Sequence, residues 1–385
     1  MITPQPIALY IHIPWCVKKC PYCDFNSHQQ KDELPESEYI SHLIADLQKD
    51  LAAIDYEKNP RPISSIFIGG GTPSLFSPES IASLLSSIKS KTLIADGVEI
   101  TMEANPGTFE KERFQGFADA DVNRLSLGVQ SYDPAHLINL GRIHDGQQAK
   151  NAVSHASRLD VRSFNTDIMH GLQGQSIHQA LNDLKTSIDL NAPHISWYQL
   201  TIEPNTQFYS KPPELPNEDV LWEIQEQGQS LLAEAGYQQY EISAYCKGSH
   251  ESLHNLNYWR FGDYLGIGCG AHGKLTDSQT LTIRRTTKIK HPKGYMDLRR
   301  EYMDTVMPVT ADELPFEFFM NKFRLMEPCL KTDYETVTGG QHLPKHSYSA
   351  LAQLAEKQLI VEDDISWRVT SKGHRYLNDV LAALM

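Results

Sequence analysis

No run of apolar residues in this 385-residue chain reaches the roughly 18 to 20 that a membrane-spanning helix needs. The opening MITPQPIALYIHIPW has neither the basic start nor the apolar core of a secretion signal. The two absences set the expectation of a soluble, cytoplasmic protein without a membrane span. Positive charge is also short, since 35 Lys and Arg against 48 Asp and Glu leave a formal net charge of -13. Nucleic-acid binding that works by neutralising phosphates is therefore not expected. The one basic run, Arg284 to Lys293 (RRTTKIKHPK), reads as an edge strand guarded by charge. Cysteine is scarce, with six in the chain. In a chain this long without an export signal, that usage points to a reducing compartment and away from a disulfide framework. No low-complexity tract or solenoid-period repeat interrupts the pattern.

Three of those six cysteines, Cys16, Cys20 and Cys23, stand together in Tyr10 to Phe25, YIHIPWCVKKCPYCDF. The stretch opens as a strand, because Leu9 to Ile13 are apolar or β-favouring, and Pro14 takes the chain out of the ladder into a loop. Three thiolates on one short loop offer three corners of a site for zinc, copper(I) or an iron-sulfur cluster. Zinc would need His12 or His28 as a fourth ligand, and CxxxCxxC lacks the paired knuckles of ordinary zinc modules. A 4Fe-4S cluster with one iron left open to a small chelator fits an odd ligand count better.

Downstream, Glu36 to Ile54 carries apolar residues at helical spacing, and Ser64 to Ile68 is an apolar strand running into Gly69-Gly70-Gly71-Thr72-Pro73. Strands then recur at Val98 to Met102, Arg124 to Val129, Phe164 to Ile168 and Ile195 to Ile202, with helices between. Such alternation makes a parallel sheet, and the expected fold class is α/β, a partial (β/α)6 TIM-like barrel. The barrel is preferred to an open sheet because Glu103, Gln130, Arg142 and Asp167 follow successive strands, at the end where barrel sites assemble. Taken singly, Glu103 could cap a helix, Gln130 could hold a turn and Asp167 could pair with Arg142. Gln239 to Tyr245 reads as one further strand, and from about Thr310 a tail begins with a helix over Leu314 to Met326 and resembles a winged helix. The acidic turn Glu362-Asp363-Asp364 would repel phosphate, which favours packing or a protein partner. The expected division is residues 1–240 for the barrel and cluster loop, 241–308 for a barrel-completing segment, and 309–385 for the winged-helix-like domain.

CxxxCxxC with an aromatic residue just before its last cysteine resembles the signature of the radical S-adenosylmethionine (SAM) family. The wider YIHIPWCxxxCPYCDFNSH is similar to the branch that holds the oxygen-independent coproporphyrinogen III dehydrogenase and a haem chaperone. The resemblance implies a 4Fe-4S cluster on Cys16, Cys20 and Cys23, and SAM chelated to the open iron and cleaved to a 5'-deoxyadenosyl radical. It further implies that Gly70, Gly71 and Thr72 meet the methionyl end, that Glu103 and Arg142 hold it by charge-assisted bonds, that Gln130 and Asp167 take the ribose hydroxyls, and that Tyr10 and Tyr22 line the cofactor. The dehydrogenase carries another cysteine two residues beyond the third and a longer N-terminal extension. Here that position is Phe25, and nine residues precede Tyr10. Both departures weigh against coproporphyrinogen chemistry and toward the chaperone subgroup, as does HNxxYW at His254 to Trp259. His254 is then the expected haem ligand, with Tyr258 and Trp259 as an apolar face, although a core histidine between packing aromatics explains the same residues. Cys20-Pro21 is a weaker rival contact. The partners implied are haem as cargo and a haem-acceptor protein, which can be membrane-bound, and a homodimer is compatible. The alternative function is a radical SAM oxidoreductase acting on a porphyrin precursor.

Overall fold

The computed structural model describes residues 5–108, 111–277, 280, 282–338 and 340–385. Strand β1 (Ile7–Ile13) is buried along nearly its whole length, as a parallel strand covered on both faces must be. After it come β2 (Ile63–Gly70), β3 (Ile94–Ala104), β4 (Arg124–Gln130), β5 (Ser163–His170) and β6 (His194–Gln199), paired in chain order and all parallel. Helices α1 (Glu36–Ala53), α2 (Pro78–Lys89), α3 (Lys111–Asp119), α4 (Gly146–Ala156), α5 (Ile177–Asp189) and α6 (Glu218–Glu234) follow the successive strands. Helix α2 shows how local sequence starts one of them. Ser77 caps α2 by accepting from the Ser80 N–H, Pro78 takes the first helical position, and Ile81, Leu84, Leu85 and Ile88 form its buried stripe.

The stretch expected as one strand at 239–245 is two. The chain turns at Ile242 and Ser243, where the Glu241 carboxylate accepts the Ser243 N–H at 3.1 Å, and β7 (Gln238–Glu241) runs antiparallel to β8 (Ala244–Cys246). Next come α7 (Leu253–Trp259), β9 (Asp263–Ile267), β10 (His272–Thr276), β11 (Ile283–Lys288) and β12 (Met303–Pro308). Strand β9 joins β1 in parallel on the side away from β2, so seven parallel strands run side by side. Among the described residues the whole sheet has twelve strands, in the order β12-β11-β10-β9-β1-β2-β3-β4-β5-β6-β8-β7.

That order corrects the reading of the basic run. Strand β11 lies one place in from the edge, which is β12. Lys288 is buried and donates to Asp46 and Asp50 at 2.6 Å each. Asp46 and Asp50 lie one turn apart on α1 and so share a face, a complementarity that local sequence does not display.

The tail runs α8 (Leu314–Lys322), the two-residue β13 (Cys329–Leu330), α9 (Lys331–Val337), α10 (Lys345–Glu356), and the hairpin β14 (Ile360–Glu362) and β15 (Ser366–Val369). Helix, strand, two helices and a hairpin are the winged-helix order. Helix α8 stops at Lys322 rather than Met326, where the Met326 N–H instead donates to the Tyr240 carbonyl across from β7. Phe318, Phe319, Leu351, Leu354 and Trp367 form a second core, and Phe261 and Ile283 from the segment after α7 are part of it.

Candidate functional site

The cysteine loop leaves β1 at Pro14 and crosses the C-terminal end of the parallel strands. Its two limbs close on each other where Trp15 and Cys16 bridge His28 and Gln29. Between those limbs the Cys23 N–H donates to the Cys20 carbonyl at 3.1 Å, the Cys16 Sγ lies 3.7 Å from the His28 carbonyl, and the Cys23 Sγ lies 3.5 Å from the Ser27 Oγ. Burial pushes the Cys16 thiol up to about 11, and negative charge on Cys23 and Cys20 adds to it, so the thiols are near enough to feel one another. Among the described residues no three His, Cys, Asp or Glu side chains converge as ligands of one ion would.

The glycine loop after β2 is fastened to the start of this loop. The Gly71 N–H donates to the Ile13 carbonyl and the Thr72 N–H to the Trp15 carbonyl, each at 2.7 Å. A Cβ at Gly71 would lie 2.4 Å from the Trp15 carbonyl oxygen. Gly70, at φ +114°, presses on the His12 ring, where a Cβ would stand 2.5 Å from Cε1. Only glycine allows both approaches.

Side chains alternate across a strand, and this brings Glu103, Ser126, Asn165, Asp167 and Ser196 to the inside of the barrel. The Gly70 N–H donates to the Glu103 Oε2 at 2.9 Å. Burial raises Glu103 to about 7; the Gly70 bond works against that rise and the charge of Asp167 adds to it. Asp167 accepts from Asn165 at 2.7 Å and Ser126 at 3.0 Å, and burial still holds its pKa above the ordinary range. The buried phenol of Tyr10 borders the same space: burial and then the charge of Glu103 keep it protonated, and it lies 2.9 Å from His12 Nδ1. Gln130 ends β4 at φ +68°, a strained conformation for a residue with a side chain, and its Oε1 accepts from the Tyr198 Oη at 2.6 Å.

Arg142 points at the cysteines and not at Asp167. It donates to the Gly128 carbonyl at 2.7 Å, the Tyr22 Oη at 3.4 Å and the Cys20 Sγ at 3.6 Å. Its Nε is buried without a partner. Burial opposes its charge, but Tyr22 and Cys20 outweigh that, and its pKa stands above the usual arginine range. Glu103 likewise caps no helix.

The expected residues thus form one wall, which Tyr198, Asn165, Ser126 and His12 extend beyond the sequence reading. Asn165 and Asp167 at positions i and i+2 of a strand were a readable signal for a polar inner face, whereas Tyr198 carried none. His254 stands apart. It is 1% exposed, its Nδ1 meets the Ser65 Oγ at 2.9 Å, and its Nε2 meets the Tyr258 Oη at 2.8 Å. Ser65 precedes Gly69 by four residues on β2, with Phe67 between them, and the Phe67 ring lies 5.2 Å from His254 and 6.3 Å from Tyr10. His254 therefore closes the barrel below the wall.

A half-buried carboxylate pair with raised pKa and a guanidinium with a spare buried donor make a donor set in which, among the described residues, no cation pairs with Glu103 and no carboxylate pairs with Arg142. A zwitterionic amino acid that also carries a sulfonium supplies both, so SAM fits the residues present, as a 4Fe-4S cluster fits the three thiols. These features define a radical SAM protein, and the sequence model of the Radical SAM superfamily matches residues 10–186. The particular branch follows from relatives matched over their whole length. The chain is 55% identical to the heme chaperone HemW of Haemophilus influenzae, with 98% of this chain and 97% of that protein covered. It is 51% identical to the heme chaperone HemW of Escherichia coli, with 99% and 98% covered. The chain belongs to the HemW family. Its fold is also that of the radical SAM enzyme coproporphyrinogen III oxidase (HemN) from Escherichia coli, at TM-score 0.82 and 20% identity over 98% of this chain and 90% of that one.

Proposed function

We propose that this chain is a cytoplasmic haem chaperone: it binds haem, a 4Fe-4S cluster and SAM, and passes the haem to an acceptor protein. The observation that carries the reading is the full-length identity of 55% and 51% to two proteins named as heme chaperones. Cys16, Cys20 and Cys23 would hold the cluster. The cluster, when bound, supplies the one-electron chemistry at the sulfonium that gives the superfamily its name. Glu103 would take the methionyl ammonium, Arg142 would turn its free Nε to the carboxylate, and Gly70 to Thr72 would present backbone to the same end. Gln130 and Asp167 would receive the ribose, and Tyr10 and Tyr22 would exclude water from it.

In this reading His254 fills the barrel floor, because haem ligation through either ring nitrogen would first break the bond to Ser65 or Tyr258. No described helix is long and apolar enough to cross a bilayer. Phe25, exposed where the dehydrogenase carries a cysteine, supports carriage over porphyrin oxidation.

The test is anaerobic. Reconstituted protein is titrated with haem, the Soret band is followed, and the loaded protein is mixed with a haem-free b-type haem protein whose own spectrum reports transfer. Coproporphyrinogen III with SAM and a reductant should be left unconverted; steady product formation would replace the chaperone reading with the oxidoreductase one.

A further inference from the structure

Asn26, three residues beyond Cys23, has both polar atoms of its side chain and its carbonyl engaged. Its Nδ2 donates to the carbonyls of Cys269 and Lys290, each at 2.9 Å, which are 243 and 264 residues away in the chain. Its Oδ1 meets the His28 Nε2 at 3.3 Å, and its own carbonyl meets the His12 Nε2 at 2.9 Å. Cys269 follows β9 and Lys290 follows β11, so one amide joins the end of the cysteine loop to both strand ends of the barrel-closing segment. The Cys269 Sγ donates to that same Lys290 carbonyl at 2.8 Å, and the Gly270 N–H donates to the Ile289 carbonyl at 2.9 Å. Tyr39 of α1 completes the joint, donating to the His12 carbonyl at 2.7 Å and accepting the Cys269 N–H at 2.9 Å.

The opposing backbone is shaped to let Asn26 in. Gly270 adopts φ +74°, and a Cβ there would lie 2.2 Å from the Asn26 Nδ2; Gly268 adopts φ +101°, and a Cβ there would lie 2.4 Å from the His12 carbonyl oxygen. Both glycines sit in the run GIGCGAHG, whose turn after β9, closed by the Ala271 N–H on the Gly268 carbonyl at 3.0 Å, is also the socket for Asn26 and β1. The loop is held at its start by the bonds from Gly71 and Thr72, and at its end by this clasp. Between the two, Val17 and Phe25 are exposed and contribute little packing.

We propose that Asn26 is a positioning residue for the cluster: its clasp on Cys269 and Lys290 sets where Cys23 stands against the strand-end wall, and ties the order of β9 to β11 to that of the loop. This rests on the cluster reading above. A carboxamide is needed, because two carbonyl acceptors demand two hydrogens from one side chain. Asn26→Asp keeps the shape but turns an acceptor toward both carbonyls, and Gly270→Ala presses on the clasp from the opposite side without altering the loop.

Both variants are reconstituted anaerobically beside the unaltered protein, and three quantities are read: iron release to a chelator, the electron paramagnetic resonance spectrum of the reduced cluster with and without SAM, and amide exchange over residues 263–308. Loss of the paired donor should speed iron release by about tenfold or more in Asn26→Asp, and by a smaller factor in Gly270→Ala. The response of the spectrum to SAM should weaken, and protection of β9 to β11 should fall while that of β3 to β5 holds. Iron release and spectra equal to those of the unaltered protein in folded Asn26→Asp would overturn the proposal and leave the cluster reading standing. An unaltered protein that takes up no cluster would overturn the cluster reading itself. If Asn26→Asp does not fold, Gly270→Ala decides by the same criteria.

Discussion

Two groups of charge inside this molecule, one buried and one half-buried, are built on opposite rules. Between α1 and β11, Lys288 gives hydrogen bonds to Asp46 and Asp50, and Asp46 also takes the Tyr295 hydroxyl at 2.7 Å and the Gly268 N–H at 3.1 Å. Among the described residues each charge of this group faces an opposite one. At the strand ends, Glu103 has one backbone N–H, Arg142 keeps a buried Nε without a partner, and among the described residues no ion pair with an opposite side-chain charge closes either of them. A folded chain tolerates an unmatched buried charge where a ligand completes it. The first group is therefore structural, and the second keeps open the positions that the proposed SAM would fill.

The sharpest break in that contrast comes at the thiols. Replacing Cys16, Cys20 or Cys23 by Ala should abolish the broad visible absorbance of the reconstituted cluster, an all-or-none change, while far-ultraviolet circular dichroism stays the same. Retained absorbance in all three variants would remove the cluster from the site. Next in size is Lys288→Met, which strands two buried carboxylates and should cost about 3–5 kcal/mol in urea denaturation. SAM affinity of the folded fraction should not change. A loss of SAM binding as large as the loss of stability would mean that the two groups are not separate.

The contrast also explains what could be read from residues alone. The βα alternation, the cysteine loop and the polar strand ends are local patterns, and the six strands and their helices stand where periodicity puts them. The fates of Lys288 and His254 depended on partners far along the chain. Asp46 and Asp50 are 242 and 238 residues from Lys288, and Ser65 is 189 from His254. A basic run reads as surface until two aspartates meet it. A histidine before two aromatics reads as a candidate ligand, and its bond to Ser65 is not visible in the residues around it. The break at Ile242 and Ser243 leaves no mark in the sequence, because apolar and aromatic residues continue through it and the turn is set by the Glu241 side chain and by the Ile242 N–H donating to the Arg324 carbonyl.

His254→Ala tests the floor against the wall. Losing two buried hydrogen bonds should cost about 1–3 kcal/mol of stability. Burial holds the imidazole at about 3, so it is neutral at working pH and no charge is lost with it. The Soret titration of the folded variant should match that of the unaltered protein. A weakened Soret shift with normal stability would instead make His254 a haem ligand that leaves Ser65 or Tyr258 on binding.

The smallest change expected is also the most diagnostic of an open wall. Glu103 sits at about 7 in the free protein, above the ordinary carboxylate range because burial penalises its charge. An ammonium beside it would favour the charged form and lower that value, so SAM binding would expel a proton below pH 7 and weaken as the pH falls through 7. Above 7 the carboxylate is already ionised and the affinity should be flat. Folding has the opposite sign: a carboxylate raised from about 4.3 in the unfolded chain makes the free protein less stable as pH rises from 4.3 toward 7. Glu103→Gln should therefore weaken SAM binding by roughly tenfold at pH 8, erase its decline toward pH 6, and leave the free protein as stable or more so. Calorimetric titration in buffers of different ionisation enthalpy reads both the affinity and the expelled proton. If Glu103→Gln destabilises the free protein as Lys288→Met does, then Glu103 belongs with the closed group and the wall has lost its cation site.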